Sequence, residues 1–144
     1  GTYVFNTVRR IGGLIQPEVA TAQPGDTIRL TKGLYVENVT LDKHVKLIGV
    51  GSGSDPAANT VLRLPNSNVP IEAVVTITGS GASDLDPLLL KSLRVEPRGE
   101  VGVSLGVVGD WNAVQSVSYI RFEDVQVVGT PAQQHIENER CLVS

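Results

Sequence analysis

"AQPGDTIRLTKGLYVENVTLDKHVKLIGVGSGS", residues 22–54, packs three short alternating runs between turn signals, with no helix among them. In DTIRL, Ile28 and Leu30 point one way while Thr27 and Arg29 point the other. In ENVTL the inward pair is Val39 and Leu41, and in HVKLIG it is Val45 and Leu47. Gly, Asp, Asn or Lys bounds each run, so each reads as a short strand with one buried face. Pro24 followed by Gly25 fits the two central positions of a type II turn.

The same triplet recurs further along. VLRL places Leu62 and Leu64 inward like Ile28 and Leu30. VVTIT places Val75 and Ile77 like Val39 and Leu41, and KSLRVEP places Leu93 and Val95 like Val45 and Leu47. A third round reads as Val103 and Leu105, then Ile120 and Phe122, then Val125 and Val127. Three strands per round, repeated, is the pattern of stacked coils in which each strand pairs with its equivalent in the next coil. The expected fold is therefore all-β: a coiled solenoid of parallel strands with about three coils.

Before the first strand, LIQPEVATAQ (14–23) carries Leu14, Ile15, Val19 and Ala22 near one helical face, with Pro17 in the first turn. It is expected to be a short capping helix over the first coil. The whole chain, 1–144, is expected to be one domain. Its parts are the cap (14–23), the coils (26–128), and a start of a further coil or a tail (129–144). An antiparallel sandwich is the rival fold. It favours tight Asn-Gly or Asp-Gly hairpins, and this chain contains neither dipeptide.

Composition narrows the function classes. The 144 residues are 41% hydrophobic and 19% charged, which describes an ordinary globular chain. A net charge of −3 with scattered Lys and Arg argues against nucleic acid as a partner, since phosphate binding wants a basic stripe. No apolar run approaches the roughly 20 residues of a membrane helix. One cysteine, Cys141, excludes an internal disulfide and reads as a small core residue. The chain lacks Met and begins at Gly1, which points to a processed or excised chain, with an extracellular or cell-surface location favoured.

Residues 19–54 resemble the N-terminal coil of proteins of the pectate-lyase and pectin-methylesterase-like superfamily. The resemblance rests on AQPGDTIRL, GLYVENVTL and KLIGVGSG, with Tyr35, Glu37 and Val39 in the places that the family pattern gives them. It implies that the solenoid is a right-handed parallel β-helix of about three coils, and that the ligand is a saccharide. The family's catalytic motifs are missing: there is no DFIFG-like segment with paired Asp, no LGRPW-like segment, and no calcium-binding acidic cluster with a basic partner. Two His, no Met and one Cys also argue against copper handling.

Several residues remain as site candidates. Lys46 and Arg94 are expected to stack on one outward face with Gln126, and Arg29 and Arg63 on another with Ser104. Such basic rows suit a polysaccharide, or a solvated surface balanced by nearby acids. Trp111, between Asp110 and Asn112, suits sugar stacking. Asp84 and Asp86 share one loop and, with Asp110, are the carboxylates that an acid/base site would need, for example near Arg94. They are also the only place for Ca²⁺, although the loop lacks the further ligands of a dedicated site. No other cofactor is expected. The leading expectation is a non-catalytic carbohydrate-binding or surface-structural module. Two alternatives stand beside it: a lyase or hydrolase acting on acidic glycans, and a self-assembling protein that forms a homo-oligomer through its open C-terminal coil.

Overall fold

Strand β2 (Asp26–Leu30) buries Asp26, Ile28 and Leu30 and turns Arg29 to solvent, as its alternation requires. Gly25 just before it has a φ of 93°, and the Asp26 N–H donates to the Gln23 carbonyl at 2.9 Å, closing a turn of type II form. The computed structural model describes residues 7–9, 14–65, 73–97, 101–106 and 117–128. Within them, β1 (Thr7–Arg9) and helix α1 (Ile15–Thr21) precede β2. After it come β3 (Gly33–Val36), β4 (Val39–Leu41), β5 (Val45–Ile48), β6 (Thr60–Arg63), β7 (Val75–Ile77), β8 (Leu88–Glu96), β9 (Val103–Leu105) and β10 (Ile120–Val127).

These strands form two sheets. One has the order β1-β2-β5-β8-β6-β3 with β10 also paired to β8, and the other has the order β4-β7-β9. All of these strand pairs are parallel. Strand β8 holds the larger sheet together because it is bent. Its first half lies beside β5 and its second half beside β6, and β10 follows both halves. The bend falls at Ser92, whose φ is 57°.

The structure corrects the expected all-β right-handed parallel β-helix of about three coils. It is a mixed α/β arrangement, rich in strand, with one short helix and two parallel sheets. The expected pairing scheme holds in part: Val39 and Leu41 stand beside Val75 and Ile77, and Leu93 and Val95 beside Val125 and Val127, but the rest of it fails. Strands β2 and β5 were assigned to one coil, where they would not pair, yet Ile28 stands opposite Leu47. Leu62 was expected beside Ile28 and Val103, but it stands beside Tyr35 and Val95. Val75 does stand beside Val39, yet its other neighbour is Val103 rather than a residue of the 120–122 run. The physical reason is that period-two alternation reports which face of a strand is buried. It carries no information about which strand lies alongside.

The inward residues of both sheets form one cluster. Ile28, Leu30, Val39, Leu41, Val45, Leu47, Val75, Ile77, Leu93, Val95 and Val103 are all buried in it, with Ile15 and Val19 of α1. Full burial of each such side chain contributes roughly 1.5–3 kcal/mol. Tyr35, fully buried, brings its hydroxyl to the Thr31 carbonyl at 3.1 Å, so its one polar atom is satisfied.

Helix α1 has no side-chain cap of its own. Its first amides are met instead by Glu37, which follows β3. Oε2 accepts from the Ile15 N–H at 2.6 Å and Oε1 from the Gln16 N–H at 3.1 Å. A carboxylate here also suits the positive end of the helix. At the other end, Lys43 Nζ donates to the carbonyls of Ala20 and Ala22 at 3.2 and 3.1 Å. The helix is therefore fixed at its two ends by one acid and one base, each opposite in sign to the helix end that it meets.

Candidate functional site

Lys46 lies at the centre of β5 with its side chain turned away from the core. Its Nζ donates to Oδ1 of Asp86 at 2.6 Å. His44, just before β5, brings Nε2 to 3.2 Å from the same oxygen. That is ion-pair distance when the ring is protonated, but the atoms are not aligned, and Nε2 is buried without a hydrogen bond. Asp86 belongs to a tight turn in which Ser83 and Asp86 face each other across an antiparallel bridge. Lys46 lies in register with Leu89 rather than with Arg94. The hydrogen bond from Lys46, with the nearby charges of His44 and Lys46, outweighs desolvation and holds the Asp86 carboxyl below its usual value.

Arg94 lies beyond the Ser92 bend, in register with Gln126 on one side and Val61 on the other. It therefore does stand beside Gln126, while Lys46 belongs to the other half of the sheet. Arg94 Nε donates to Oε2 of Glu96 at 2.9 Å. Arg63 grips the other oxygen, Oε1, through Nε at 2.9 Å and Nη2 at 2.8 Å. Burial pushes the Glu96 carboxyl up, but the hydrogen bonds and charges of Arg63 and Arg94 prevail and leave it lowered. Arg29, expected beside Arg63, stands opposite Ile48, and Ser104 lies in the other sheet beside Thr76.

A third shared carboxylate lies on β10. Glu123 forms ion pairs with Arg121, Nε to Oε2 at 2.7 Å, and with Lys91, Nζ to Oε1 at 3.5 Å. Three times, then, one carboxylate lies between two basic side chains on the outward side of the larger sheet. Glu96 was not singled out in the sequence. The signal available for it was Arg94-x-Glu96, two like-facing positions of one strand. The partnership of Lys46 with Asp86 spans forty residues and had no local signal.

Asp84 is exposed on the same turn as Asp86 but is not drawn into the Lys46 cluster. Asp110 and Trp111 lie outside the described residues, as do His135 and Cys141. Among the described residues, no group of three or more His, Cys, Asp or Glu side chains comes together to hold a metal ion. Among them, too, no helix is long and apolar enough to cross a membrane.

No family model, curated protein or solved structure matches this chain.

Proposed function

We propose that the chain is a non-catalytic carbohydrate-binding module that holds its ligand on the outward side of the larger sheet. The observation that carries this reading is the Arg63–Glu96–Arg94 array. Two guanidinium groups and a carboxylate are hydrogen-bonded into one row across β6 and β8, with Gln126 next to Arg94 on β10. Sugar hydroxyls both donate and accept, so a fixed row of alternating donors and acceptors suits them. Parallel strands hold such a row at a repeat of about 4.8 Å with little loss of side-chain entropy on binding. The saccharide class comes from the resemblance of residues 19–54 to pectate-lyase and pectin-methylesterase-like proteins.

The same geometry favours binding over catalysis. A general acid working near neutral pH needs a raised carboxyl pKa. Asp86 and Glu96 are both lowered and tied to cations.

Affinity electrophoresis through gels containing neutral or acidic polysaccharides tests this reading, with polymer length measured afterwards. Retardation by at least one polymer of unchanged length, lost in Arg94→Ala, is the expected result. Shortened polymer would replace the reading with a lyase or hydrolase. Free migration through every gel would remove carbohydrate as the ligand class.

A further inference from the structure

Tyr119 is held in a conformation that a tyrosine avoids. It immediately precedes β10 and has a φ of 58°, in the left-handed region. There the Cβ of an L-residue crowds the carbonyl oxygen that follows it, and a bulky side chain is an outlier. Glycine is the residue that escapes this strain.

The neighbouring backbone fixes residue 119 in place. The Tyr119 carbonyl accepts from the Leu88 N–H at 2.9 Å, and the Ser118 carbonyl accepts from the Gly81 N–H at 3.0 Å. The Ser118 N–H donates to Ser80 Oγ at 2.9 Å. Gly81 lies directly against these groups. A Cβ on it would collide with the Tyr119 carbonyl oxygen, the Leu88 nitrogen and the Pro87 Cα. A strained residue persists where its surroundings over-determine it, and residues 80–88 do so here.

Burial of the ring does not offset the strain. Tyr119 is 47% exposed, whereas Tyr35 is 1% exposed with its hydroxyl bound. Phe122, beside Leu90, packs against the core. Among the aromatic side chains of the described residues, Tyr119 is therefore the one turned to solvent. Charged groups lie at the same end of the larger sheet. Asp86 directly precedes Pro87 and holds Lys46. Arg121, two residues along the chain, stands beside Leu89, which stands beside Lys46.

We propose that Tyr119 is a sugar-stacking residue whose ring receives the apolar C–H face of a pyranose. A tyrosine on a fixed backbone offers a large amphipathic surface and loses little freedom on binding. A strained backbone that carries an exposed ring marks a function of that ring. The inference rests on the carbohydrate reading. It adds a contact at the opposite end of β10 from Gln126.

Two measurements test it together: urea denaturation without polymer, and affinity electrophoresis in a polysaccharide gel that retards the parent. Tyr119→Gly is expected to have a higher urea midpoint than the parent, because the strain is relieved. Its apparent affinity is expected to fall at least about tenfold, as for a residue central to binding. Tyr119→Ala loses the ring as well and is expected to bind as weakly. Tyr119→Phe keeps the ring and is expected to bind like the parent. Full binding by Tyr119→Gly and Tyr119→Ala overturns the proposal. If Arg94→Ala is released in the same gels, the carbohydrate reading still stands. A parent that migrates freely through every gel removes that reading and this inference together. Weak binding by Tyr119→Phe overturns stacking in favour of a contact through the hydroxyl. A urea midpoint for Tyr119→Gly no higher than that of the parent also overturns the proposal, because the ring then serves the fold.

Discussion

The side-chain amide of Gln16 stands where a strand would stand beside β4, taking the Thr40 N–H at 2.6 Å and returning a donor to the Thr40 carbonyl at 3.0 Å. A primary amide is the side chain suited to this place, because it offers one acceptor and one donor in a plane, as a peptide group does. Gln16→Ala leaves both backbone groups of Thr40 without protein partners. A loss of about 1–3 kcal/mol is expected, read as a lower urea midpoint at dilute protein. Gln16→Glu keeps the acceptor and loses the donor, so it is expected to fall between the two. An unchanged midpoint for Gln16→Ala would show that water replaces the amide at no cost.

Glu37 joins the helix to the sheet, and its sequence position gives no hint of this. A carboxylate more than twenty residues along the chain from Ile15 and Gln16 meets the two leading N–H groups that the helix cannot satisfy itself. Glu37→Ala is expected to cost about 1–3 kcal/mol, with Glu37→Gln costing less because one oxygen remains. Amide hydrogen exchange at Ile15 and Gln16 is expected to quicken in Glu37→Ala before the sheet amides change. Uniform quickening throughout would instead tie Glu37 to the whole fold.

The Arg63–Glu96–Arg94 row predicts a pH dependence of stability. The folded-state pKa of Glu96 is depressed, so the unfolded chain binds its proton first as the pH falls. The stabilisation is complete above the unfolded-state value of about 4.3 and is lost as the pH falls through the lower folded value. Asp86 adds to the same trend through Lys46 and His44. Urea midpoints measured from neutral pH downward are expected to decline in this acidic window, and Glu96→Gln is expected to flatten part of that decline. An equally steep decline in Glu96→Gln would assign the effect to other carboxylates.

The inward residues were legible in the sequence because burial of one strand face imposes a period of two. Ile28, Leu47, Ile77 and Val95 were all placed inward and all are buried. Strand pairing was legible only in part: β4 meets β7 and the second half of β8 meets β10 as their patterns suggest, whereas β2 meets β5 and β6 meets both β3 and β8 through contacts between residues far apart in the chain. The alternation of the KSLRVEP strand does not extend back into the first half of β8, for a local reason. Leu88 and Leu90 keep one parity and Leu93 and Val95 the other, since Ser92 adds a bend between them. Lys46 and Arg94 were picked out for their charge. Their acidic partners, Asp86 and Glu96, emerge only once the loop and the neighbouring strands are in place.

The bend in β8 is repeated in β10, and it supplies a test of backbone strain. Lys91 stands beside Glu123 and Leu93 beside Val125, so Ser92 and Asp124 occupy equivalent places. Their φ values are 57° and 52°. A left-handed conformation costs an L-residue about 1–2 kcal/mol, and glycine escapes this at an entropic cost of about 0.5–1 kcal/mol. Ser92→Gly is therefore expected to raise stability by up to about 1 kcal/mol. Asp124→Gly is expected to gain less, because it also removes the 2.7 Å hydrogen bond that Asp124 accepts from Ser52. Gly49, at the end of β5, is the reverse case. A Cβ there would collide with the Ser92 carbonyl and with Thr60, so Gly49→Ala is expected to lose about 1–3 kcal/mol. Urea denaturation of the three variants checks the order Ser92→Gly, Asp124→Gly, Gly49→Ala from most to least stable. If Ser92→Gly proves less stable than the parent, the bend is held by the serine side chain, and backbone strain at Ser92 is not a reserve of stability.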